Sequence, residues 1–193
     1  QGLGTGGLYV RNEPSELKVE KGQIDVSNNA TLTITTTTNP TLGTLNSGST
    51  IVYAGSSAQT LPTSASIPNL TINNSSGVNV SGNSTVSGTL TLTDGKLNVP
   101  ANTTLTLGAF GSDITLSGGS GTSYIATASE TAFIKRFVNT NTNYIFPMGQ
   151  GNNYTPMSLN FSAGATTGSF ITTYVKNTVA PGFVAANFQN YIS

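Results

Sequence analysis

Residues 69–99 read NLTINNSSGVNVSGNSTVSGTLTLTDGKLNV, and this stretch decides the fold. It contains pairs of apolar residues separated by one polar residue: Leu70/Ile72, Val78/Val80, Leu90/Leu92 and Leu97/Val99. Alternation of this kind is typical of a short β-strand with one buried face. The first pair maps onto the third at twenty residues, and the second maps onto the fourth at nineteen. The stretch therefore predicts a repeating unit of about twenty residues.

The same pairs continue on both sides of this stretch. They are Leu17/Val19, Ile24/Val26 and Leu32/Ile34 before it, and Leu105/Leu107 and Ile114/Leu116 after it. Between the pairs, Val86 maps onto Leu105, so each unit holds three short strands separated by turns rich in Gly and Asn. Strands this short bury little surface alone and must stack on one another. We predict an all-β fold, a right-handed β-solenoid of roughly five coils, with a β-sandwich of hairpin-connected strands as the alternative.

The character of the sequence changes near residue 120. Large aromatic residues become frequent after it, within alternating stretches such as AFIKRF at 132–137 and SFITTYV at 169–175. Such stretches are typical of a compact antiparallel module. The predicted organisation is an extended N-terminal segment at 1–12, a β-solenoid at 13–120 and an antiparallel, β-sandwich-like module at 121–193.

The composition limits the classes of partner. Only 7% of the residues are charged, and seven basic residues balance seven acidic ones. Because no basic stripe can neutralise phosphates or anionic lipid, we expect neither nucleic-acid binding nor electrostatic membrane docking. No apolar run approaches the length of a membrane span, so we expect no membrane insertion. The first residue is Gln1 rather than Met, which suggests a signal peptide removed before it and a secreted, extracellular or cell-surface location.

Side chains that carry out catalysis are scarce. The chain has no His and no Cys, which excludes Ser-His-Asp triads and thiolate metal sites. Asp94 and Asp113 are candidates to lie one coil apart at the same turn of the solenoid, in what we call a turn column. Such a pair of carboxylates would suit a calcium ion or a polysaccharide-degrading site. Two carboxylates fall short of a full ligand set, so we expect no enzymatic activity, no cofactor and no metal site.

Threonine rows form a candidate surface. Alternate positions carry Thr31, Thr33 and Thr35, then Thr89, Thr91 and Thr93, then Thr104 and Thr106. On a flat solenoid face, aligned rows of hydroxyl groups could organise water and bind ice. The interpretation we favour is that Thr is a good strand former with a neutral polar exterior.

Two stretches carry a resemblance to a known class of proteins. They are STIVYAGSSAQTL at 49–61 and NYIFPMG at 143–149, the second followed by NYTPM at 153–157. From about residue 45 onward, the chain resembles the Thr/Asn/Gly-rich repeats of large secreted surface proteins of Bacteroidota. The resemblance implies export by the type IX route and a role as an adhesin, a gliding-associated surface protein or an extracellular scaffold.

We therefore expect a non-enzymatic structural protein, a subunit or segment of a surface filament or adhesin. Its expected partners are other copies of itself, joined by β-strand addition. The expected donor strand is Leu8, Tyr9 and Val10, which follows a pliable Gly-rich segment. A further alternative is a glycan-binding adhesin module in which Tyr53, Tyr124 or Tyr154 stacks on sugar rings, although these rings are better suited to filling a core.

Overall fold

The computed structural model describes residues 8–11, 17–20, 22–138, 143–160 and 169–175. These residues form an all-β structure with no helix. The strands are β1 Leu8–Arg11, β2 Leu17–Glu20, β3 Gln23–Val26, β4 Thr31–Ile34, β5 Thr41–Leu45, β6 Thr50–Tyr53, β7 Gln59–Thr60, β8 Ser66–Asn73, β9 Val78–Asn79, β10 Ser84–Asp94, β11 Leu97–Val99, β12 Thr103–Leu107, β13 Thr115–Gly118, β14 Ile125–Thr127, β15 Ala132–Val138, β16 Asn143–Phe146, β17 Met148–Gln150, β18 Asn153–Tyr154, β19 Met157–Asn160 and β20 Ser169–Thr173.

The strands stack in parallel into a β-solenoid of about six turns, which confirms the predicted fold class. Three parallel ladders form its faces. The threonine face consists of β4, β6, the second halves of β8 and β10, and β13. The lysine face consists of the first halves of β8 and β10, then β12 and β15. The asparagine face consists of β7, β9, β11, β14 and β17.

The repeat length agrees with the sequence pattern through the middle of the stack. On the threonine face, Thr31 lies opposite Thr50, and Thr50 lies opposite Asn69, two steps of nineteen residues. The next step, from Asn69 to Thr89, is twenty residues, and the step from Thr89 to Thr115 is twenty-six. The longer step contains an added loop around the bridge between Ala109 and Ser112.

One predicted alignment differs in register. Val86 lies opposite Leu107, and Ser84 lies opposite Leu105, so the alignment of Val86 with Leu105 is wrong by two residues. Side chains in a strand alternate with a period of two, and a shift of two therefore keeps the same residues facing inward. Both Leu105 and Leu107 are fully buried.

One hydrophobic core runs along the inside of the stack. On the threonine face its inward residues in successive coils are Leu32, Ile51, Leu70 and Leu90, none more than 1% exposed. The same cluster extends from Ile24 to Met148. Each such side chain contributes about 1.5–3 kcal/mol relative to its exposed state, so the apolar pairs in the sequence supply the main stabilising term.

The chain reverses direction at both ends of the stack. At the start, β2 pairs antiparallel with β3 and β1 pairs antiparallel with β4. At the far end, β18, β19 and β20 pair antiparallel with β17, β16 and β15. Each end therefore carries a layer of strands from the same chain that run against the parallel stack.

The parallel stack continues past residue 120, where the sequence predicts a separate antiparallel module. β14, β15 and β17 pair in parallel with β11, β12 and β14. In this part of the chain, the antiparallel pairs are those that β18, β19 and β20 form with β17, β16 and β15. The large rings of Tyr144 and Phe146 belong to the solenoid core. They lie on β16, which pairs with β19 among the described strands.

Buried amides connect the first coils. The Gln59 amide nitrogen donates to the carbonyl oxygens of Ile34 and Thr36, at 2.9 and 2.8 Å. Its carbonyl oxygen accepts from the Gly55 backbone nitrogen and from the Asn74 amide, at 2.9 and 2.8 Å. Both amide side chains are 1% exposed. This network joins three successive coils at one corner.

Among the described residues, no helix has the length and apolar character needed to cross a membrane.

Candidate functional site

The threonine face brings together two of the three predicted threonine rows. One outward column contains Thr31, Thr50, Asn69, Thr89 and Thr115, and the next contains Thr33, Val52, Thr71, Thr91 and Ser117. The rows of β4 and β10 are thus separated by two strands, about 14 Å at the usual strand spacing. Both columns are flanked by buried apolar residues, so they lie on the outer surface.

The third row lies elsewhere. Thr104 and Thr106 belong to β12 on the lysine face. Thr35 follows β4, and Thr93 lies at an irregularity of the ladder between β8 and β10.

The hydroxyl array of the threonine face is interrupted. Val52 occupies one position of the second column. Asn69 occupies one position of the first, where its amide nitrogen donates to the carbonyl oxygens of Gly48 and Ser49, at 2.9 and 3.2 Å. Its side-chain oxygen accepts from the backbone nitrogen of Thr89, at 2.9 Å. This amide therefore connects coils.

The predicted donor strand forms β1. Its residues Leu8, Tyr9 and Val10 lie opposite Ile34, Thr33 and Leu32 of the same chain. Its role in joining copies stays a prediction.

The two candidate carboxylates do not share a turn column. Asp94 ends β10 opposite Asn73, whereas Asp113 precedes β13 at the other end of the threonine face. Asp113 forms an ion pair with Arg136, with both of its oxygens accepting from the guanidinium at 3.1 and 3.2 Å. The described residues contain no group of three or more potential metal ligands among His, Cys, Asp and Glu.

Arg136 connects the last coils. It is 6% exposed, and its guanidinium also donates to the carbonyl oxygens of Ile114 and Ile145, at 3.4 and 2.8 Å. The rings of Tyr144 and Phe146 lie 5.0 and 5.7 Å from it. Arg136 thus bonds to residues just before β13 and to a residue within β16, two strands that do not pair with each other among the described ladders.

The tyrosines considered for sugar stacking are buried or covered. Tyr53 and Tyr124 are fully buried. The Tyr53 hydroxyl donates to Asn39 at 3.0 Å, and burial raises the pKa of this phenol well above its ordinary value. Tyr154 packs on Tyr124 with ring centroids 5.3 Å apart. The ring faces of Tyr53 and Tyr124 are thus not open to a ligand.

A groove on the lysine face, which we call the lysine groove, combines polar and aromatic groups. It has a volume of about 360 Å³ and is lined by Asn83, Thr104, Thr106, Phe133, Lys135 and Thr172. The Lys135 ammonium lies 4.5 Å from the centre of the Phe170 ring. Phe133 meets Tyr174 edge to face at 6.0 Å. None of the described residues that line the groove carries a carboxylate.

A second groove lies on the asparagine face, with a volume of about 390 Å³. Its cation, Lys96, already donates to the carbonyl oxygen of Gly151 and to the side chain of Asn152, both at 2.8 Å. The amides of Asn79 and Asn98 are joined by a hydrogen bond of 3.1 Å. The polar groups of this groove are therefore largely engaged by the protein itself.

Comparisons of the chain with protein-family models, curated proteins and solved structures gave no match.

The sequence reasoning missed the lysine groove. The sequence signal for it is AFIKRF at 132–137. Ala132 and Ile134 are buried, so Phe133 and Lys135, at the alternate positions of the same strand, lie on its outer side. The sequence pattern places that stretch in a separate module, and it gives no indication that Phe133 and Lys135 lie beside Thr104 and Thr106.

Proposed function

We propose that this chain is a non-enzymatic structural module of an extracellular surface protein and that copies of it join by exchange of the first strand. The observation that carries this proposal is the antiparallel pairing of β1 with β4 over four residue pairs. Strand pairing depends on backbone groups, so the edge of β4 can accept the same strand from another copy. If each copy donates its first strand to the next copy, the subunits form an open filament, unless the rotation between neighbours closes them into a ring.

The other end of the stack also supports association. In the described part of the chain, β18, β19 and β20 each pair with one strand only, which leaves their outer edges open. Natural proteins often protect such edges with charges. Only 7% of the residues here are charged, which favours contact between neutral strand edges.

A cysteine pair tests strand exchange directly, because the chain contains no Cys of its own. Tyr9 and Thr33 lie opposite each other in the ladder between β1 and β4, and Cα atoms opposite each other in an antiparallel pair are close enough for a disulfide. For the double variant Tyr9→Cys/Thr33→Cys, exchange between copies predicts a series of covalent oligomers on a non-reducing gel. Electron microscopy of the same sample should show filaments or short rods in rows.

The matched control places cysteines at Ile145 and Ser158, which lie opposite each other in the antiparallel ladder between β16 and β19. This pair should close within one chain and remain monomeric on the gel. Oligomers that persist while the Tyr9/Thr33 disulfide closes only within single chains would overturn strand exchange. Dispersed single particles at every protein concentration would overturn self-assembly.

A second candidate function, ice binding, is favoured by the two outward columns of the threonine face. Thr71 lies at the middle of that face, opposite Val52 and Thr91. If the face binds ice, Thr71→Lys should abolish inhibition of ice recrystallisation, whereas Thr106→Lys on the lysine face should preserve it. A lack of inhibition by the unmodified protein would remove this candidate.

A further inference from the structure

We propose that the lysine groove binds an acidic polysaccharide, with a uronic-acid carboxylate at Lys135 and a sugar ring against Phe133. The proposal is independent of strand exchange, because the groove lies on the outer side of β12 and β15, away from β1.

The polar groups of the groove are available to a ligand. Among the residues that the structure describes, no hydrogen bond or ion pair engages the Lys135 ammonium, the hydroxyl groups of Thr104 and Thr106, or the Asn83 amide nitrogen. The Asn83 side-chain oxygen is held by the backbone nitrogen of Thr104 at 2.9 Å, which fixes the amide in place. A few fixed polar groups next to an aromatic surface are typical of a small-molecule or sugar site.

The described lining of the groove carries a net positive charge. Among the described residues that line it, Lys135 is the only charged one. Its neighbour Arg136 points into the core and is neutralised by Asp113. A cation without a carboxylate partner forms a strong charge-assisted hydrogen bond with an incoming carboxylate. The groove is thus complementary to an anionic ligand rather than a neutral one.

The groups on this face are arranged in lines along the solenoid axis. Ser66, Thr85, Thr106, Lys135 and Thr172 occupy one register position on five neighbouring strands. At the usual strand spacing this column is about 19 Å long. Asn83, Thr104 and Phe133 form a shorter column beside it. A linear chain of repeating sugar units that lies along the solenoid axis would meet hydroxyl, amide, aromatic and cationic groups in turn.

The aromatic neighbours support the position of the sugar ring. Phe133 is half-buried, lines the groove and is in edge-to-face contact with Tyr174. Tyr174 itself is 48% exposed. Aromatic side chains that present an apolar surface at a polar site offer contact area with little loss of conformational freedom.

The test is calorimetric titration of the full chain with oligogalacturonate at low salt. We expect binding that weakens as sodium chloride rises, because one exposed ion pair contributes. Lys135→Gln should weaken binding about tenfold or more, and Phe133→Ala should weaken it several-fold. Lys96→Gln, which removes the same charge from the asparagine face, should leave affinity unchanged. Circular dichroism and thermal melting of each variant establish that the solenoid is intact.

Two further probes separate the chemistry. The fully methyl-esterified oligosaccharide keeps the rings and loses the charge, and polyglutamate keeps the charge and has no rings. We expect both to bind more weakly than oligogalacturonate. No binding of oligogalacturonate at millimolar concentration, equal loss in Lys96→Gln and Lys135→Gln, or equal affinity for either probe would overturn the proposal.

Discussion

Replacement of Gln59 by Leu should lower the free energy of unfolding of the solenoid, because the Gln59 amide bonds to groups in neighbouring coils. Gln59 makes four hydrogen bonds that join three coils, with Ile34, Thr36, Gly55 and Asn74. Leu has a similar volume and leaves every partner without this amide. The Ile34 carbonyl oxygen keeps a bond from the Ala54 nitrogen, and the Asn74 amide keeps one to the Ser57 carbonyl oxygen.

The expected loss in free energy of unfolding depends on the groups that lose their hydrogen bond to Gln59 and have no second hydrogen-bond partner among the described residues. These are the Gly55 nitrogen and the Thr36 carbonyl oxygen. Gly55 and Thr36 are half-buried, whereas the cost of a fully buried unpaired polar group is about 1–3 kcal/mol. For the two half-buried groups together we expect the free energy of unfolding to fall by about 1–3 kcal/mol.

The assay is urea-induced unfolding followed by circular dichroism. Asn79→Ala is the matched control, because Asn79 makes its one side-chain hydrogen bond at an exposed position, and it should change the free energy by less than about 0.5 kcal/mol. A double-mutant cycle of Gln59→Leu with Asn74→Ala should show coupling, since the two side chains bond to each other. A loss below about 1 kcal/mol for Gln59→Leu, or purely additive effects in the cycle, would refute the reasoning.

Four other outcomes follow from the structure. Leu90→Ala, at a fully buried position, should lower the free energy of unfolding by about 2–5 kcal/mol in urea titration. Gly95→Ala should be much more destabilising in the same assay than Gly111→Ala. The φ angle is positive at both glycines, 75° at Gly95 and 84° at Gly111. Only at Gly95 would the added Cβ overlap the backbone of the neighbouring coil. Arg136→Ala should lower the free energy of unfolding by at least about 2 kcal/mol, measured by thermal denaturation, because carbonyl and carboxylate partners lose their donor. Deletion of residues 1–10 should leave the solenoid folded and monomeric by circular dichroism and light scattering, whereas unchanged oligomers would contradict the role of β1 as a donor.

The sequence predicts the central coils well because two independent patterns agree there. Apolar alternation identifies the inward residues, and the spacing of nineteen or twenty residues identifies the stacking partners. Leu70 and Leu90 lie opposite each other as expected, as do Val78 and Leu97. Both patterns depend on one repeated physical requirement, which is that every coil must place its apolar residues over those of the coil below.

The later coils were harder to predict because insertions change the spacing. The step from Thr89 to Thr115 includes the loop that carries Phe110, which is 84% exposed. With a longer step, Asp113 no longer aligns with Asp94 and meets Arg136 instead. Sequence spacing alone does not indicate which residues of a long coil form the loop and which continue the ladder.

The candidate site depends on contacts between distant coils, which is why single stretches did not reveal it. Thr104 and Thr106 are ordinary outward residues on their own strand. Their position beside Phe133 and Lys135 follows from the register between β12 and β15. That register connects residues twenty-nine positions apart, a distance that the repeat of about twenty does not suggest.

Reversed strands lie at both ends of the solenoid, and the parallel stack lies between them. Because each coil adds one strand to each ladder, the length of the stack can change only by whole coils. A duplication of nineteen or twenty residues between β4 and β10 would add one coil, extend the stack by about 4.8 Å and leave both end layers as they are. An insertion of any other length would have to leave the stack as a loop, as the segment around Phe110 does. Changes in sequence length therefore have two different effects. Added coils change the length of the stack, and inserted loops change the surface of the stack without changing its length.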